Sequence, residues 1–173
     1  TGNNALVGNG AANELLGEAR TDTLTGGNGV NVINGGAGVD TAIYSGAFAD
    51  YTDDLSGASS LGLSNAGSVI SDTISNVEVL DFATGGDARI VGWGSEYATL
   101  EAAITAASAN DHILVKNGTS VTLTAEITKA VSIHGIFAIS SSSFPNGATA
   151  SAVLSSFVSR VASGSSYTIN MTG

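Results

Sequence analysis

Gly26-Gly27-Asn28-Gly29-Val30-Asn31-Val32-Ile33 runs without a break into Asn34-Gly35-Gly36-Ala37-Gly38-Val39-Asp40-Thr41-Ala42, and this stretch decides the fold. Its two halves are nine residues apart, and the same spacing reaches back to the first residues of the chain. An apolar residue recurs at Leu6, Leu15, Leu24 and Ile33, with the smaller Ala42 in fifth place. Two residues before each stands Asn4, Asn13, Asp22, Asn31 or Asp40. Two residues after the first four stands Gly8, Gly17, Gly26 or Gly35. Self-similarity at a fixed period implies stacked units rather than a closed globule. Glycine permits the tight turn, and one apolar side chain per unit makes a core only when units stack.

Gly35-Gly36-Ala37-Gly38-Val39-Asp40-Thr41-Ala42 resembles the RTX (repeats-in-toxin) nonapeptide, Gly-Gly-x-Gly-x-Asp-x-apolar-x. The copy from Gly26 to Ile33 matches except that Asn31 replaces the aspartate. The resemblance implies a parallel β-roll with two units per coil and Ca²⁺ between stacked turns. It also implies a bacterial extracellular or cell-surface protein exported by type I secretion. On that winding Asn4, Asp22 and Asp40 share one edge, and Asn13 and Asn31 share the other. The candidate metal ligands are therefore Asp22 and Asp40, the carbonyls of Gly36 and Gly38, and Asn4. Ca²⁺ takes six to eight oxygens, several of them anionic in the tightest sites. Asn13 and Asn31 offer no carboxylate, and stacked amides can instead form a hydrogen-bonded ladder. Arg20 departs from the pattern by replacing a glycine and setting a cation beside Asp22. A Ca²⁺-bound roll and a roll held by amide ladders are both open on these residues.

Composition agrees with a repeat protein. Gly, Ala, Ser and Thr are abundant, aromatics are sparse and proline occurs once. The net charge is −10, and eleven of the fifteen acidic residues precede residue 96. Phosphate binding needs a basic footprint, so nucleic acid is excluded as a partner. No cysteine is present, which excludes disulfides and thiolate metal sites. No apolar run approaches the roughly 18 residues of a membrane span. The chain opens on Thr1 without a leader and closes on a strand-like Tyr167-Thr168-Ile169-Asn170-Met171, so a piece of a longer protein is expected.

Past the repeats, Thr41 to Gly46 reads as a strand, Asp50 to Asp54 as a polar turn, and Leu61-Gly62-Leu63 and Val69-Ile70 as short strands. Ser71 to Phe82 resembles the segment that closes an RTX block. Alternation there is imperfect; Leu80 and Phe82 read as inward-facing and the charged Glu78 as exposed. Asp53, Asp54 and Asp81 read as solvated carboxylates. Thr84-Gly85-Gly86-Asp87 marks a boundary.

A second pattern follows. Ser95 caps a predicted helix over residues 96–108, with Tyr97, Leu100, Ile104 and Ala107 on one face. Strands follow at His112 to Lys116, Val121 to Thr124 and Val131 to Gly135, with a turn at Asn117-Gly118. Residues 139–150 read as a loop, and Ala152 to Val158 as a further apolar segment. Tyr97-Ala98-Thr99-Leu100-Glu101-Ala102-Ala103 and Asp111-His112-Ile113-Leu114-Val115 resemble the opening of a right-handed parallel β-helix, where a short helix covers the end of the stack. The fold expected for the whole is an all-β solenoid: a parallel β-roll at 1–46, closing strands at 47–90, and a helix-capped, short right-handed parallel β-helix at 91–173.

No catalytic constellation is evident. His112 and His134 lie near strand ends without an Asp or Ser at a suggestive spacing, and both read as surface residues. No phosphate loop, zinc motif or nucleophile elbow is present. The function expected is a non-catalytic structural or interaction module of a surface layer, filament or adhesin. It would associate with itself or with another extracellular protein or polysaccharide. The alternative is an accessory part of a secreted polysaccharide lyase or epimerase.

Overall fold

A computed structural model describes residues 2–57, 59–67, 70–92, 97–116, 130–137 and 166–171, with the backbone alone described at 136–137 and 166–171. The chain is β-rich. The repeats supply β1 (Ala5–Val7), β2 (Glu14–Leu16), β3 (Thr23–Thr25), β4 (Val32–Asn34) and β5 (Thr41–Ala47). A 3₁₀ turn at Phe48–Asp50 leads to β6 (Tyr51–Asp54), β7 (Leu61–Asn65), β8 (Ser71–Ser75), β9 (Val79–Thr84) and β10 (Ala88–Val91). Helix α1 (Leu100–Ala106) precedes β11 (His112–Val115), β12 (Ser132–Phe137) and β13 (Ser166–Met171).

Successive repeats go to alternate sheets. One sheet runs β1-β3-β5-β9-β10-β11-β12-β13, the other β2-β4-β8-β7-β6. In the first, Leu6 pairs with Leu24, Leu24 with Ala42 and Ala42 with Leu80, all in parallel register. In the second, Leu15 pairs with Ile33 and Ile33 with Ile74. Leu24, Ile33, Ala42, Ile74 and Leu80 are fully buried, so the two columns face one core. Each buried leucine or isoleucine removes enough apolar surface to contribute about 1.5–3 kcal/mol, which a three-residue strand could not provide alone.

The sheets are mixed, unlike the uniformly parallel stack expected. β6, β7 and β8 pair antiparallel, as do β9 and β10. The predicted polar turn at 50–54 is strand β6 instead. Tyr51 supplies the reason: its ring packs edge-on against Tyr44 and tilted against Phe82, anchoring the segment to the core.

β10 to β12 return to parallel pairing. Their described aliphatic side chains are buried on both faces. Ile90 and Leu114 join the repeat core, while Val91, Ile113, Val115, Val131 and Ile133 meet Tyr97, Leu100, Ala103, Ile104 and Ala107. The predicted helical face is thus the buried one. The helix is shorter than 96–108 and starts after Thr99, whose hydroxyl accepts the Ala102 N–H at 3.1 Å. Ser95 and Glu96 lie outside the described residues. So do the expected turn at Asn117-Gly118, the strand at Val121 to Thr124, the loop at 139–150 and the apolar segment at Ala152 to Val158. Thr99→Ala removes the cap and is expected to cost about 1 kcal/mol, read as a lower melting temperature.

Candidate functional site

The Asn/Asp positions stack as columns beside the apolar ones. Each side chain reaches back to the coil before it. Asp22 Oδ1 accepts the Asn4 N–H at 2.6 Å, and Asp40 Oδ1 accepts the Asp22 N–H at 2.8 Å. Glu78 Oε2 then accepts the Asp40 N–H at 2.9 Å. Along the other edge, Asn31 Oδ1 accepts from Asn13 N at 3.1 Å, and Asp72 Oδ1 from Asn31 N at 3.3 Å. The device recurs after the repeats, where Asp111 Oδ1 accepts the Asp87 N–H at 3.1 Å and Asp111 also pairs with Arg89. Each rung satisfies a backbone donor of the neighbouring turn, and for Asp22, Asn31 and Asp40 that donor belongs to a buried residue.

Two of these rungs differ from the reading of the sequence. Glu78 is buried, not exposed, because it is the next member of the Asn4–Asp22–Asp40 column. The edge of Asn13 and Asn31 does carry a carboxylate, at Asp72. The insertion of β6 and β7 lengthens the step to these residues from 18 positions to 38 and 41, which hides them from the period.

The two edges solve one geometric problem with different chemistry. A Cβ built on Gly8 would stand 2.9 Å from Asn13 Nδ2 and 2.5 Å from the Gly26 carbonyl oxygen. The equivalent atom on Gly17 would stand 2.8 Å from Asp22 Oδ2, against the Gly35 carbonyl oxygen. One step on, a Cβ at Gly26 would meet Asn31 Nδ2 at 2.8 Å, and one at Gly35 would meet Asp40 Oδ2 at 2.6 Å beside the Asn76 carbonyl. Amide nitrogen and carboxylate oxygen therefore occupy matching places.

The amide is at ease there. Asn13 Nδ2 donates to Asn31 Oδ1 at 2.9 Å, with the Asn9, Ala11 and Gly26 carbonyls also in reach. Asn31 Nδ2 donates to Asp72 Oδ1 at 2.8 Å, and Asp72 Oδ2 accepts from Tyr44 Oη at 3.0 Å. The carboxylate is not at ease. Oδ2 of Asp22 and of Asp40 are buried and accept no hydrogen bond. An oxygen cannot donate to the carbonyls beside it, so the place calls for a proton or a cation. Burial pushes the Asp40 carboxyl above its ordinary pKa of 3.8; the Asp22 N–H opposes this, and the Asp22 charge adds to it.

Gly36 and Gly38 lie in the turn leading to Asp40. They have φ of +100° and +148°, and their Cα atoms face the Glu18 and Arg20 carbonyls. Asn4 is exposed at the outer end of the column. Among the described residues no three His, Asp or Glu side chains converge on a metal-sized space. A cation at Asp22 or Asp40 would thus draw much of its coordination from backbone oxygens such as those of Gly35 and Asn76.

His112 and His134 are half-buried and adjacent, contrary to the surface reading. They come from neighbouring strands, and Phe48 stacks on the His112 ring at 3.7 Å. Burial lowers the pKa of both. No spacing rule pointed to this pair, because the coil length linking β11 to β12 is set by the register His112↔Ser132.

Stacked side-chain rungs on a β-rich frame define the class of this protein as far as fold and site carry it. No family model matches the chain, and no curated protein matches it. Among solved structures it is similar to the extracellular lipase LipA from Serratia marcescens, at 14% identity and a TM-score of 0.28. That alignment covers 80% of this chain and 29% of the lipase, so the chain spans less than a third of that protein's length. A likeness at that level defines neither fold nor activity. Among the described residues no helix is long and apolar enough to cross a membrane.

Proposed function

We propose that the chain is a non-catalytic structural and interaction module of a secreted or cell-surface bacterial protein, held together by Ca²⁺ at Asp22 and Asp40. In this reading the repeats form a parallel β-roll that continues into a short, helix-capped parallel β-helix. The observation that carries it is the pair of buried, unpartnered Oδ2 atoms set among carbonyl oxygens, where the neighbouring edge has amide donors. Ca²⁺ is a hard cation that takes carboxylate and carbonyl oxygens together, which suits this donor set. Asp22 and Asp40 would each give one carboxylate oxygen while the other continues to cap the preceding coil.

The interaction half rests on the outer faces of the repeat strands. Val7 and Ile43 on one sheet and Leu16 and Val32 on the other are exposed. Exposed apolar side chains of this kind suit contact with another chain, here a second copy or another extracellular protein or polysaccharide.

Ca²⁺ titration of the chelator-treated chain tests the metal. A ligand at about 100 times its Kd stabilises by about 2.7 kcal/mol, and a corresponding rise in melting temperature is expected with Ca²⁺. Sedimentation velocity at rising protein concentration tests the association and is expected to show larger species. A melting temperature indifferent to Ca²⁺, together with a strict monomer at every concentration, would sink the proposal.

A further inference from the structure

We infer that His112 and His134 form a bidentate site for a divalent transition-metal ion of the Zn²⁺ class, separate from the aspartate column. The facing atoms are His112 Nδ1 and His134 Nε2, 3.4 Å apart. Two nitrogens bound tetrahedrally to one zinc at its usual bond length are about 3.4 Å apart, so the separation matches one shared ion, which would take the place of the hydrogen between the rings once His134 carries its own on Nδ1.

The proton positions agree. His112 Nε2 lies 3.1 Å from the Gly85 carbonyl oxygen. A carbonyl only accepts, so Nε2 carries the hydrogen and Nδ1 presents a lone pair towards His134. A metal-bound imidazole ordinarily makes this kind of outer contact, which fixes its tautomer and aim. Phe48 adds a mechanical constraint: it stacks on His112 and meets His134 edge-on, with centroids at 3.7 and 5.4 Å.

The site is built by three stretches distant in sequence. The turn after β9 supplies the Gly85 carbonyl, and β11 and β12 supply the rings. His112 and His134 share one sheet face, because His134 stands two residues beyond Ser132, the strand partner of His112. Electrostatics favour a cation there. Asp53 acts on both rings, and Asp111, itself paired with Arg89, acts on His112, where the neighbouring His134 opposes them. Burial lowers both imidazole pKa values, which keeps the rings neutral and ligating at pH 7. Solvent completes the coordination, since no third side chain converges among the described residues. The ion class follows from the ligands: imidazole suits zinc, copper and nickel, whereas Ca²⁺ selects oxygen.

The chain has two histidines and no cysteine, so the test is unambiguous. Zn²⁺ is titrated into untagged, ¹⁵N-labelled protein, and the imidazole nitrogens are followed by NMR. At one equivalent, His112 Nδ1 and His134 Nε2 are expected to move together to metal-bound shifts while His112 Nε2 keeps its hydrogen. Ca²⁺ is expected to leave all four nitrogens in place. His134→Gln is expected to weaken Zn²⁺ at least about tenfold, the lower end of what outer-contact losses alone cause. Should that variant fail to fold, the wild-type spectrum decides alone. A response from only one ring, from neither ring, or from the opposite nitrogens overturns the inference, as does Zn²⁺ affinity unchanged in a folded His134→Gln.

Discussion

Gly36→Glu and Gly38→Arg are each expected to destabilise the chain by about 2–5 kcal/mol, from a left-handed backbone carrying a side chain plus an overpacked contact. The first turn already carries those same residues. Glu18 and Arg20 stand 18 positions before Gly36 and Gly38, and both have positive φ, +73° and +95°. Backbone conformation alone therefore does not demand glycine. The stack does. A Cβ on Gly36 or Gly38 would run into the Glu18 or Arg20 carbonyl of the coil before. The side chains of Glu18 and Arg20 are exposed. The other edge repeats the arrangement: Gly27 and Gly29 would meet the Asn9 and Ala11 carbonyls at 2.9 and 2.6 Å, and Asn9 and Ala11 are themselves exposed. Glu18→Gly and Arg20→Gly should accordingly change stability by no more than about 1 kcal/mol, the scale of a glycine substitution. Urea denaturation of the four variants measures the asymmetry. Equal costs in both turns would refute the stacking argument. Since domains commonly hold about 5–15 kcal/mol of net stability, the doubly substituted second turn is expected not to fold.

The repeat half was legible because an uninterrupted period of nine converts directly into columns. Leu6, Leu24 and Ala42, and equally Asn4, Asp22 and Asp40, pair as that period demands. Arg20, which looked like a flaw in the pattern, takes the glycine conformation at an exposed position. Legibility failed wherever the step changed. Glu78 sits just before β9, on the face that a two-residue alternation shares with the buried Leu80 and Phe82. Its charge, not the alternation, argues for the outward reading, and the Asp40 N–H that it caps is what lets the carboxylate sit inside. Thr99 caps the described helix, which begins at Leu100, and Ser95 lies outside the described residues. β6 to β8 pair by local antiparallel contacts, with no repeat to announce them.

Asp40→Asn is expected to have opposite effects with and without Ca²⁺. Without the ion, Asp40 Oδ2 is a buried acceptor with no donor. An amide there would keep the Oδ1 contact to Asp22 and gain a donor, as Asn31 does against Asp72 on the other edge. The Glu78 carboxylate lies one coil on to receive it. Relieving one unsatisfied buried group is worth about 1–3 kcal/mol, so the variant should melt higher than the wild type in chelator at pH 7. Acid should erase that advantage. Burial raises the Asp40 pKa above its ordinary 3.8, so the stability tied to its proton is complete below 3.8 and lost as pH rises through the folded-state value. The half-buried imidazoles pull the other way, their contribution falling as pH drops below the ordinary 6.5 through their lowered values. Both proteins share that second term, and it cancels when their melting temperatures are compared at each pH. In saturating Ca²⁺ the order should invert, because the amide offers a neutral oxygen where the wild type offers an anion and so gains less from the ion. A variant more stable than the wild type in chelator and in Ca²⁺ alike would place the column among amide-type ladders and leave Ca²⁺ without a role at Asp40. A variant less stable in both would mean that the unpartnered oxygen is not the weak point of the stack.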